Sequence, residues 1–152
     1  MRRRGGWTFI ELLVALVVLG VLSSIAILKY IDLTRTAYAA KLAGEFTTIR
    51  LAAYNYEADH NNQWPAEVGP GVVPPELIPY LPSGFSFSYP TYTLDWDNFT
   101  SGGGGAYQLG ISCSTTDPQF MNSLTQALGS KAPYFVAGGT LTFVLIDPNG
   151  NY

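Results

Sequence analysis

Between Leu12 and Leu28 the chain carries no charged side chain, and the stretch is dominated by Leu, Val, Ile and Ala. Extended back to Trp7, the run admits one charge, Glu11. As a helix, Trp7 to Leu28 would span roughly 33 Å, matching a hydrocarbon core of about 30 Å. The apolar core of an ordinary secretory signal is shorter, typically about 7–15 residues. Arg2, Arg3 and Arg4 precede the run and predict a cytoplasmic amino terminus, with the remainder of the chain outside. A membrane-spanning helix about 7–28 is therefore the first constraint on the fold.

Glu11 is out of place in such a run. A carboxylate at mid-bilayer costs about 2.5–3.5 kcal/mol on insertion scales, less near the interface, so its presence calls for a partner or a function. In the first helical turn the helix dipole favours its charge. Two small-x-small sites, Ser24-Ile25-Ala26 and Ala37-Tyr38-Ala39, also allow a secreted domain released by signal peptidase.

The segment Gly5-Gly6-Trp7-Thr8-Phe9-Ile10-Glu11-Leu12-Leu13-Val14 resembles the leader of type IV pilins and type II secretion pseudopilins. A basic leader ending in glycine, an aromatic residue, then Thr and Glu, and an apolar run all agree, over about Arg4 to Tyr30. The resemblance implies cleavage by a prepilin peptidase between Gly6 and Trp7, N-methylation of Trp7, and Glu11 as the assembly carboxylate. It implies a single-pass protein of the bacterial inner membrane with its head periplasmic or extracellular. Its partners would be the peptidase, other pilin or pseudopilin subunits, an assembly platform and lipid. Where the family often carries a helix-bending proline, this chain has Leu28. Gly20 is then the place where local unwinding on assembly would centre, since Gly weakens a helix by about 1 kcal/mol relative to Ala.

Beyond the run, Ala39, Leu42, Phe46, Ile49, Ala53 and Tyr56 alternate in spacings of three and four, one apolar face of a helix. Arg35, Lys41, Glu45, Arg50, Glu57 and Asp59 lie off that stripe. No proline interrupts the chain before Pro65, so one helix from Trp7 to about residue 60 is predicted. Pro65, Pro70, Pro74, Pro75, Pro79 and Pro82 then mark a loop, with a turn of helix at Pro75–Ile78. Strands are predicted at Phe85–Tyr89, Tyr92–Trp96, Ala106–Cys113 and Thr140–Ile146, with Gly102–Gly105 a flexible connection. A short helix has Asp117 as N-cap, Pro118 at its first position and Gly129 after its end. The fold class is α+β: a long amino-terminal helix, part membrane and part amphipathic, packed on a small antiparallel sheet head. The organisation is leader 1–6, helix 7–60 and head 61–152.

The head offers little for catalysis. His60 and Cys113 are the only histidine and thiol of the chain, and they share no nucleophile motif, so no enzyme activity and no cofactor are expected. A single cysteine forms no intramolecular disulfide, and that absence favours a pseudopilin or minor pilin. Asp95 and Asp97, two apart on a strand, face one side and with Asn98 are the weak candidates for a metal such as Ca²⁺; they lack the spacing of an EF-hand loop. Asp147-Pro148-Asn149-Gly150 fits a type I turn. Without its first six residues the chain has five basic against eleven acidic side chains, a formal −6 in place of −3. Such a balance argues against nucleic-acid binding. The expected function is a structural subunit of a pilus-like filament, serving a type II secretion-like or pilus system. The alternative is a membrane-anchored binding module that does not polymerise, with Trp64, Tyr89, Tyr92, Trp96 and Phe99 as a sugar- or protein-binding face.

Overall fold

The computed structural model describes residues 7–100 and 105–151. The leader residues Arg2 to Gly6 and residues 102–104 of the glycine loop lie outside them. Helix α1 runs Phe9–Asp59 with no break at Gly20. The chain divides into two units, residues 1–35 and 36–152.

In the first unit the described residues are helical from Phe9 and, through Leu33, exposed except for half-buried Ala15. Among the described residues this is the one helix long and apolar enough to cross a membrane.

The second unit is the head. The part of α1 from Thr36 onward buries Ala39, Leu42, Phe46, Ile49 and Ala53, as the periodicity predicts. Four strands follow among the described residues: β1 (Thr93–Asn98), β2 (Leu109–Ser114), β3 (Tyr134–Ala137) and β4 (Thr140–Ile146). They form one antiparallel sheet in the order β1-β2-β4-β3. Because side chains alternate across a strand, Leu94, Trp96, Ile111, Cys113, Leu141 and Phe143 share the face that joins the α1 stripe in the core. Phe46 and Phe143 stack there with centroids 5.3 Å apart. Helix α2 (Pro118–Leu128) inserts Phe120 and Leu124 into the same core. Its Asp117 side chain accepts from the N–H groups of Gln119 and Phe120, the cap expected from the sequence.

Three expectations change. Phe85–Tyr89 is no strand: it contributes an isolated bridge, Ser88 to Thr93, made by two bonds, Leu94 N–H to the Phe87 carbonyl and Tyr89 N–H to the Tyr92 carbonyl. The free edge of β1 is instead covered piecemeal, since Gly71 N–H donates to the Leu94 carbonyl and Asn98 N–H to the Glu67 carboxylate. An edge strand left bare would invite pairing with other chains. Second, β3 is a strand outside the expected set, and it forms a two-residue hairpin with β4 through Gly138 and Gly139, Gly138 having φ 61°. Third, Glu45 is not a surface charge. It is buried and accepts from the hydroxyls of Tyr89 (3.0 Å) and Tyr92 (3.1 Å), while Lys41 pairs with it at 3.2 Å. Burial and the neighbouring carboxylate push the Tyr89 phenol up to about 12, so both hydroxyls remain donors at neutral pH.

Candidate functional site

The helix begins with a reciprocal cap. Thr8 stands before Phe9, and its N–H and hydroxyl both donate to one Glu11 carboxylate oxygen at 2.9 Å. The Glu11 N–H in turn donates to the Thr8 hydroxyl at 3.3 Å. This is the Thr-x-x-Glu capping box, in which residues three apart satisfy N–H groups that a helix start leaves unpaired. The sequence reading placed Glu11 in the first turn but missed this partner, although Thr8 stands at the diagnostic spacing.

Around that cap the surface is apolar. Trp7 is 75% exposed and Phe9 82%, and Leu12, Leu16, Leu19, Val21, Leu22 and Leu28 are all open. An apolar area this large on one helix is suited to lipid or to the faces of other helices. Gly20 has open space where a Cβ would lie, so no packing within the chain requires glycine there.

In the head, the sheet brings Asp95 and Asp97 together, as their spacing predicts, and adds Glu67 from the covering loop. Oxygens of the three lie within 4.8 Å of one another. Asp97 is buried and accepts from Tyr107 (2.7 Å) and from the Ser112 hydroxyl. One oxygen of Glu67 is held by the Asn98 N–H. Asp95 Oδ1 is buried with no hydrogen-bond partner among the described residues. Desolvation first, then the charges of Asp97 and Glu67, push the Asp95 carboxyl up to about 7. Asn98, grouped with these residues from sequence, turns away: its amide donates to the Pro65 carbonyl and its oxygen accepts from Thr100. Three carboxylates this close can hold a cation through their oxygens or, without one, keep a proton on Asp95.

Of the five aromatic residues of the alternative reading, two lie in the core, while Trp64, Tyr89 and Phe99 are half-buried. Trp96 is fully buried with its indole N–H on the Pro65 carbonyl (3.1 Å), and Tyr92 is buried against Phe120. His60 stacks on Tyr56 and donates to its carbonyl at 2.9 Å, closing the last turn of α1. Cys113 is buried in the core, and burial followed by the Glu45 charge pushes its thiol up to about 12, which leaves it unreactive.

Residues 1–27 match the family model described as the prokaryotic N-terminal methylation motif. The segment holding Gly6, Trp7 and Glu11 is therefore a prepilin-type leader and helix start, and the chain is type IV pilin-like or pseudopilin-like at its amino end. No curated protein and no solved structure matches the chain.

Proposed function

We propose that the protein is a structural subunit of a type IV pilus-like filament, held in the bacterial inner membrane with its head outside. In this account a prepilin peptidase cuts between Gly6 and Trp7, Trp7 is N-methylated, and the subunit leaves the membrane through an assembly platform. Its apolar helix then exchanges lipid for the helices of neighbouring subunits. The carrying observation is that the methylation-motif match coincides with a helix whose apolar surface is exposed on nearly every side and holds one carboxylate, Glu11. Glu11 would meet the positive α-amino group of Trp7 on an incoming subunit, a pair that is strong once water and headgroups are excluded. The lone, buried Cys113 favours a pseudopilin or minor-pilin role over a pilin closed by a carboxy-terminal disulfide.

The test is co-expression with a prepilin peptidase and a filament assembly system. The chain should appear in the sheared-filament fraction. A chain that stays wholly in the membrane fraction would favour the non-polymerising binding module.

A further inference from the structure

The carboxyl end of α1 and the ends of β1, β2 and β4 enclose a cleft of about 870 Å³ in the head. That is within the range of small-molecule sites, roughly 300–1,000 Å³. Its wall includes Glu57 from α1, Gln63 and Trp64 from the turn after it, Glu67 from the loop over β1, and Gln108 before β2. No Lys or Arg is among its described lining residues.

The polar groups here are two carboxylates, Glu57 and Glu67, beside the Asn62, Gln63 and Gln108 amides and the Thr100 hydroxyl, which both donate and accept. The Gln108 amide nitrogen is engaged with the Pro148 carbonyl at 3.0 Å, which leaves its oxygen without a partner among the described residues. One Glu67 oxygen holds Asn98 N–H, leaving the other. The side chains of Glu57 and Gln63 have no hydrogen-bond partner among the described residues. Two carboxylates with no Lys or Arg among the described lining residues oppose phosphate, sulfate and acidic sugars through like charge. They favour a ligand rich in O–H donors. The acceptors come from separate elements spaced along the cleft, which suits several hydroxyls on a ring better than one ammonium group. Half-buried Trp64, wedged against Tyr54 with centroids 5.5 Å apart, adds a rigid apolar surface for the C–H side of such a ring. An extended peptide has no strand to pair with here, since the β1 edge is already covered by Gly71 and Glu67.

We propose that this cleft binds neutral saccharides, giving the head a ligand site separate from the apolar helix. The test uses the full chain in a polyoxyethylene detergent, because sugar-headed detergents would compete. Neutral hexose and N-acetylhexosamine oligosaccharides, their sialylated forms and a lysine-rich peptide are each titrated by calorimetry. Trp64 packs on Tyr54, so its truncation would confuse binding with folding; Gln63→Ala and Glu57→Ala instead remove an exposed and a half-buried side chain outside the core. The expected result is binding of at least one neutral oligosaccharide, weaker or no binding of its sialylated form, and affinity about tenfold lower in each variant. The melting temperature should not move. No binding of any neutral sugar at about 10 mM, equal affinity in wild type and variants, or binding of the peptide alone would overturn the proposal.

Discussion

One carboxylate oxygen of Glu11 receives both the N–H and the hydroxyl of Thr8, so the lone charge in the apolar run is already held by its own helix. The second oxygen makes no hydrogen bond among the described residues. A carboxylate fixed on one side and open on the other is well placed to receive a charged group from a neighbour. The cap also supplies a competing explanation for the residue, because a capping box needs Glu or Gln whether or not a filament forms.

Substitution separates the two roles. Glu11→Gln keeps a side chain able to cap but removes the charge, whereas Thr8→Ala weakens the cap by about 1 kcal/mol and keeps the charge. Loss of one partner from a desolvated ion pair costs about 3–5 kcal/mol. Glu11→Gln and Glu11→Leu should therefore be cleaved and membrane-resident, yet yield well under about a tenth of the wild-type filament mass. Thr8→Ala should still assemble. Membrane level and sheared-filament yield, measured side by side, check this; wild-type yield from Glu11→Leu would remove the carboxylate from assembly.

Gly6→Val should leave a longer, unmethylated chain in the inner membrane and no filament, since the leader peptidase requires a small residue before the cut. Electrophoretic size with and without the peptidase reads the outcome. A normal-length product from this variant would contradict the assigned cleavage site.

Phe46 is fully buried and stacked on Phe143, so Phe46→Ala should destabilise the head by about 3–5 kcal/mol. Chemical denaturation of a soluble form beginning at Lys29 measures it. An unchanged midpoint would mean that α1 does not pack on the sheet through this ring.

Asp95 sets a pH dependence. Its carboxyl holds a proton up to about pH 7 in the folded head, above its ordinary value of 3.8. The folded state then binds more protons than the unfolded chain between those values, so stability falls as pH rises through that window and levels off above it. Allowing for solvent screening of a half-buried group, the loss is on the order of 1–2 kcal/mol. Asp95→Asn should raise the melting temperature at pH 8 and flatten the profile from pH 5 to 8. Glu67→Gln should do the same more weakly, because it removes one of the neighbouring charges. A wild-type head more stable at pH 8 than at pH 5 would contradict this reading.

The long helix and its buried stripe were legible because a 3.6-residue period needs only local sequence. The α2 boundaries were legible for the same reason, through Asp117, Pro118 and Gly129. Glu45 was not, because the hydroxyls that make its burial tolerable come from Tyr89 and Tyr92, more than forty residues away. Glu67 was missed beside Asp95 and Asp97 for a similar reason: a loop, not a strand period, carries it there. Strand β3 left a usable trace, Tyr134-Phe135-Val136 followed by a Gly-Gly pair, but four residues are too few to show alternation. Phe85–Tyr89 misled because its aromatic residues suit a strand, while its backbone meets β1 at only a few points.

The whole account rests on where the mature chain begins. Intact-mass measurement and amino-terminal sequencing of the protein from cell membranes test that directly. The predicted result is a chain starting at Trp7 with one added methyl group on its α-amino nitrogen. A chain that still begins at Met1, or one that begins at Ile27 after cleavage by ordinary signal peptidase, would contradict it.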